Sequence, residues 1–218
     1  MRALVYRGPA SLPGCPEAVA ELLASSSWDF EVRYTGPKEK LKLTPETLGS
    51  ATVYAQPGGG ELEDAYPHLR KQRGAIREFV RAGGRYLGFC LGGYLAGATP
   101  GFGLLPGDTD QYIASRKASL DTDESTLVQV RWRGHKRVLF FQDGPHFLLE
   151  RGAPGTVLAT YRNKTVAALV TPFGQGRVGV VGPHPEATED WFTDIGLDTP
   201  DRLGVDLGHD LVDAVMAP

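Results

Sequence analysis

Arg85-Tyr86-Leu87-Gly88-Phe89-Cys90-Leu91-Gly92-Gly93 is the stretch on which the fold turns. A short β-prone run, broken by one glycine, leads straight into a cysteine and then into a glycine pair. That pattern reads as a strand giving way to a helix through a sharp turn, a nucleophile elbow with sulfur in place of hydroxyl. The flanking glycines answer a physical need, because side chains there would collide with the neighbouring strand and helix. The sulfur of Cys90 then stands at a helix N-terminus, where aligned peptide dipoles favour a thiolate.

Upstream of the elbow the chain alternates strand and helix. Ala3 to Tyr6 reads as a strand, followed by a loop from Arg7 to Cys15 and a helix opened by Pro16 through Val19, Leu22 and Leu23. Phe30 to Tyr34 is a second strand. Ala51 to Ala55 is a third, ending in the loop Gln56-Pro57-Gly58-Gly59-Gly60. A helix over His68 to Ala82 carries a stripe of Leu69, Ile76, Phe79 and Val80, closed by Gly83-Gly84 as a C-cap. Strands alternating with amphipathic helices call for a parallel sheet covered on both faces.

Downstream the pattern turns β-rich. Leu127 to Trp132 and Arg137 to Phe141 form an expected hairpin across Arg133 to Lys136. Val157 to Tyr161, Val166 to Val170 and Arg177 to Val181 add three strands, with turns at Asn163-Lys164 and Gly174-Gln175-Gly176. These read as an antiparallel extension of the sheet. A helix near Asp206 to Val215 ends the chain, and Gly107 to Ser125 is expected as loop with at most one short strand. The fold class is therefore α/β, a three-layer flavodoxin-like parallel sheet with an antiparallel extension.

The 218 residues suit one domain spanning 1–218, and 41% apolar against 22% charged is an ordinary globular balance. A net charge of −3 argues against a nucleic-acid surface. No apolar run has the length of a membrane span or a signal-peptide core. Two cysteines make no disulfide framework. The reading is a soluble, cytoplasmic protein acting on a small-molecule substrate, without nucleic acid or membrane; a protein partner stays open.

A thiolate needs a base, and the chain offers five histidines. His184 follows the strand Arg177 to Val181, and strand ends are where open α/β sheets assemble their sites. Glu186, two residues on, is placed to fix the imidazole tautomer, the third role in a nucleophile–base–orienter set. Pro183 and Pro185 restrict the backbone around it. Acyl transfer builds an oxyanion, for which the N–H of Leu91 and those of the Gly58-Gly59 loop are candidate donors. No metal-ligand spacing is present, and neither metal nor organic cofactor is expected.

Pro57-Gly58-Gly59 after a strand, Gly88-Phe89-Cys90-Leu91-Gly92 about 30 residues later and His184-Pro185-Glu186 roughly 90 further on resemble the class I glutamine amidotransferase-like layout. More specifically, the chain resembles the N-terminal domain family of biotin-protein ligases and its stand-alone relatives. Ala3 to Pro9, Gln56 to Gly59, Ile76 to Cys90 and Phe141 to Pro145 carry that likeness. The resemblance implies the flavodoxin-like fold and Cys90, His184 and Glu186 as a triad; it implies no substrate. True glutaminases continue the elbow with a glutamine that helps hold the substrate, and Tyr94 stands at that position here. Glutamine hydrolysis is therefore not expected, nor is biotin transfer, since no Gly-Arg-Gly-Arg adenylate loop occurs.

The resulting expectation is a cysteine-nucleophile amidase or hydrolase, with Cys90, His184 and Glu186 catalytic and Gly58, Gly59, Leu91 and Tyr94 at the oxyanion and substrate. The alternative is a catalytically silent module that binds a ligand or partner through the same pocket, which Tyr94 favours. A redox role for Cys90 is a third reading, made less attractive by the His184-Glu186 pair. Cys15 is expected on the same sheet edge as Cys90, as a loop residue without chemistry; the other reading makes it a resolving thiol or pocket residue. Gln142-Asp143-Gly144 follows a strand and offers a polar group to the pocket, with a plain turn as the default reading; Asn163-Lys164-Thr165 reads as a turn, and Asp121, Asp123 and Glu124 as solvated surface.

Overall fold

Alternation within the strands decides the layering. In β1 (Arg2–Tyr6), Ala3 and Val5 belong to one core and Leu4 and Tyr6 to the other, the two-residue period of a strand buried on both faces. The computed structural model describes residues 1–217. After β1 come α1 (Cys15–Ala24), β2 (Glu31–Thr35), α2 (Pro45–Gly49), β3 (Val53–Gln56), α3 (Leu62–Leu69), α4 (Arg73–Arg81), β4 (Arg85–Phe89) and α5 (Leu91–Ala96). The second half runs β5 (Gly107–Gln111), β6 (Thr126–Trp132), β7 (His135–Phe141), β8 (Pro145–Leu149), β9 (Thr156–Tyr161), β10 (Val166–Phe173), β11 (Gly176–Val181), α6 (Glu189–Thr193) and α7 (Val205–Met216).

The sheet order is β2-β1-β3-β4-β11-β10-β9-β6-β7, with β5 and β8 paired to each other and β8 to β10. The pairs β2–β1, β1–β3, β3–β4 and β4–β11 are parallel. From β10 outward every pair is antiparallel. Val19, Leu23, Leu211 and Val215 of α1 and α7 close one face against Val53, Leu87 and Phe89. Leu48, Ile76, Val80 and Leu95 close the other against Tyr54, Tyr86 and Val180. This is the α/β, parallel-plus-antiparallel architecture expected, and it puts the carboxyl ends of β1, β3, β4 and β11 on one edge. Among the described residues no helix is long and apolar enough to cross a membrane.

Several local expectations change. The helix expected over His68 to Ala82 is two helices, α3 and α4, broken at the polar turn Arg70-Lys71-Gln72, where the Gln72 N–H reaches back only to the Leu69 carbonyl at 2.9 Å. Its C-terminal cap holds: Gly83 has φ +117°, and the N–H groups of Gly83 and Gly84 return to the carbonyls of Val80 and Phe79, the Schellman arrangement. The hairpin turn is tighter than expected. Arg133 and Gly134 alone form it, both with positive φ, and His135 already pairs with Trp132. β8 escapes the sequence pattern because it opens on a proline and carries polar His146 among its apolar positions. β5 is the one short strand in Gly107 to Ser125.

Candidate active site at the carboxyl edge

The elbow is built as its glycines require. Cys90 follows β4 directly and has φ +48°, a left-handed conformation that costs a non-glycine residue energy and clusters at functional sites. Its N–H donates to the Val181 carbonyl at 2.9 Å, and its own carbonyl accepts from the N–H groups of Gly93 and Tyr94. A methyl on Gly88 would strike the Gly92 carbonyl of α5, and one on Gly92 would strike the Gln56 carbonyl of β3. α5 is only six residues long, so what it presents to Cys90 is a first turn of N–H groups and no long macrodipole.

β11 lies beside β4 and delivers His184 three residues past its end. The His184 N–H donates to the Phe140 carbonyl at 2.9 Å, and its ring packs edge-on against Phe140 and tilted against Trp191. Nδ1 lies 2.9 Å from Glu186 Oε1, with both residues buried, leaving Nε2 as the nitrogen free to exchange a proton elsewhere. Burial works against a charged imidazole. The charges and hydrogen bonds of Glu186 and Cys90 outweigh it and push His184 up to about 10. The Cys90 thiol also donates to the Gln142 carbonyl, Sγ to O 3.6 Å. Cys90 and His184 thus line one cavity, and the imidazole is hydrogen-bonded to Glu186.

Cys90, His184, Gly59, Leu91, Tyr94 and Trp191 line a cavity of about 630 Å³. Among the described residues the N–H groups of Leu91 and Gly59 have no protein acceptor. Gly58 does not line the cavity. It sits behind the imidazole, where a Cβ would lie 2.8 Å from His184 Cε1 and 3.3 Å from Cys15 Sγ, so its contribution is room for the ring rather than a wall. Tyr94 donates its hydroxyl to the Asp143 carbonyl at 3.0 Å and forms part of the same cavity wall as Cys90. Burial, with Asp143 and Cys90 adding, holds that phenol far above its usual range.

Cys15 shares the carboxyl edge with Cys90, as expected, but it is the first residue of α1 and part of the cavity wall rather than a bystander in a loop. Both cysteines are free. Burial, then the charges of Glu186 and Cys90, drive the Cys15 thiol well above the ordinary thiol value, keeping it protonated. Gln142-Asp143-Gly144 is also more than a turn. It supplies the carbonyl acceptors for Cys90 and Tyr94, with Asp143 at φ +43°. Asp123 and Glu124 are exposed, as expected, and also line the cavity. Trp191 carried no sequence signal, since α6 is a single short turn far from the elbow in the chain. Among the described residues no three His, Cys, Asp or Glu side chains converge as a metal site.

The family profile described as "Biotin-protein ligase, N terminal" matches residues 1–111. The biotin–protein ligase of Schizosaccharomyces pombe is 26% identical over 166 residues, covering 63% of this chain and 26% of the ligase. The chain thus spans about a quarter of that relative's length. A glutamine amidotransferase from Thermotoga maritima has the same fold, with a TM-score of 0.60 and 19% identity across 99% of this chain and 96% of its own. The β-galactosidase of Bacillus circulans sp. alkalophilus contains it too, at a TM-score of 0.51 and 14% identity, over 98% of this chain and 30% of the galactosidase. At such identities these structures establish the fold.

Proposed function

This chain belongs to the biotin-protein ligase N-terminal family, built on a glutamine amidotransferase-like fold, and from that premise we propose that it is a cysteine-nucleophile hydrolase of a small amide or related acyl compound. The observation that carries the reading is a strained cysteine at an elbow beside a buried imidazole held at 2.9 Å by a buried carboxylate. Sγ of Cys90 attacks the carbonyl carbon with its proton already held on Nε2 of His184, and Glu186 steadies that imidazolium. The N–H groups of Leu91 and Gly59 stabilise the oxyanion. Collapse of that intermediate breaks the C–N bond, with His184 returning the proton to the leaving amine. Water then attacks the thioester by the same route, releasing acid and restoring the thiol.

Tyr94 stands where a glutaminase has its substrate-holding glutamine, so glutamine is not the proposed substrate. A second reading, a silent binding module, is favoured by the same tyrosine, whose hydroxyl is already spent on Asp143. Alkylation separates the two. Iodoacetamide should modify Cys90 near neutral pH at least tenfold faster in the wild type than in His184→Gln, read peptide by peptide by mass spectrometry so that Cys15 is scored separately. Equal rates would overturn the hydrolase and leave the binding module.

A further inference from the structure

We infer that the Cys90 cavity takes a substrate bearing a positive charge, an ammonium or guanidinium group close to the scissile carbonyl. The inference rests on the hydrolase reading and names the substrate class for that site. Glu61, Glu63, Asp110, Asp123, Glu124 and Asp143 line the cavity, and no lysine or arginine does. The chain as a whole is nearly balanced, with 26 acidic and 23 basic residues. The imbalance is therefore local to the site: the one cationic group on its wall, the His184 imidazole, is already paired with buried Glu186, and a cleft with a net excess of one sign concentrates the opposite ion.

Asp143 ties that field to the reacting centre. It follows Gln142, whose carbonyl meets the Cys90 thiol. Its Oδ2 accepts from Gln111 Nε2 at 2.8 Å, while Oδ1 is buried with no partner. An unpaired buried carboxylate oxygen is costly unless a ligand supplies the donor. Burial raises the Asp143 carboxyl against the Gln111 hydrogen bond, and the charges of Glu61 and Asp123 raise it further. Because no three potential ligands converge on one point among the described residues, a metal ion would find no cage. An organic cation that spreads its charge and donates hydrogen bonds fits the dispersed arrangement, with the Gln142 carbonyl as an acceptor beside the sulfur.

Charged thiol reagents test this without knowledge of the substrate. Cys90 would be modified at pH 6.5 by the 2-aminoethyl, 2-sulfonatoethyl and uncharged methyl methanethiosulfonates, each rate normalised to that with a free small-molecule thiol. The cationic reagent should outpace the anionic one by about tenfold or more at low salt. That ratio should shrink towards one at about 1 M salt, where the Debye length is only about 3 Å. It should also shrink in the exposed pair Glu61→Gln/Asp123→Asn and in Asp143→Asn. A ratio near or below one in the wild type, or one untouched by these substitutions, would overturn the inference. The uncharged reagent reports separately on the thiol: if its rate ignores His184→Gln, the hydrolase reading fails whatever the charge ratio shows.

Discussion

Adding a single methyl group at Gly92 tests whether the elbow is a close-packed joint. A Cβ there would stand 2.9 Å from the Gln56 carbonyl carbon, 3.1 Å from the Gln56 Cβ, and closer still to the carbonyl oxygen. Gln56 has nowhere to go. It is fully buried at the end of β3, its Nε2 donates to the Ala10 carbonyl at 2.8 Å, and its Oε1 accepts from the Tyr54 hydroxyl at 2.7 Å. Moving α5 instead would strain the Tyr86 hydroxyl bond to the Gly92 carbonyl and drag Cys90, whose carbonyl anchors Gly93 and Tyr94. Overpacking of a tight core costs about 1–3 kcal/mol. With backbone and a buried hydrogen-bond network both displaced, Gly92→Ala should lie at the upper end, about 3 kcal/mol, or about 6–12 °C in Tm at this chain length. Gly74→Ala is the matched control, because Gly74 lies exposed in α4 with nothing within 4 Å of a new Cβ. It should gain about 0.5–1 kcal/mol from helix propensity. Denaturant unfolding of both variants, followed by fluorescence, gives the comparison. A Gly92→Ala protein within about 1 kcal/mol of wild type, with Cys90 alkylated at the normal rate, would refute the reasoning.

Two further outcomes follow from charge. His184 titrates near 10 in the fold against about 6.5 in an unfolded chain, so the protonated ring stabilises the native state. That contribution is complete below about pH 6.5 and fades as pH rises through the folded value, at up to about 1.4 kcal/mol per pH unit; His184→Gln should flatten this part of the stability–pH curve, and an unchanged slope contradicts the assignment. Arg137 of β7 grips Asp206 of α7 through both nitrogens, at 2.7 and 2.8 Å, and chiefly this hydrogen bonding depresses the Asp206 carboxyl. The stabilisation is present above the unfolded value of about 3.9 and lost as pH falls through the lower folded one. Asp206→Asn should thus cost about 1 kcal/mol at pH 7 and markedly less at pH 3 by chemical denaturation, and an equal cost at both would be the contrary result.

What could be read from the chain, and what could not, divides along the range of the forces involved. The strand–Cys90–glycine joint was legible because its requirements are local: only a missing side chain lets α5 approach β3, and that need is written in Gly88 and Gly92 themselves. His184 and Glu186 were legible for the same reason, since two residues of spacing beside prolines suffice to hold an imidazole to a carboxylate. β8 was not, because its pairing with β5 and β10 is made across the sheet and overrides a proline start. Gln142 and Asp143 looked like a turn, Cys15 like a loop and Asp123 like surface, because each meets the cavity only through contacts with residues far away in sequence.

By itself, then, the order of residues determined the α/β alternation, the elbow and the imidazole–carboxylate pair, all set by backbone sterics and bonding over a few neighbouring positions. Tertiary structure alone decided that β11 lies beside β4 and so puts His184 and Cys90 on the wall of one cavity. It alone gathered six carboxylates from four separate segments around one cavity, because charge accumulates by proximity in space and leaves no periodic mark along the chain.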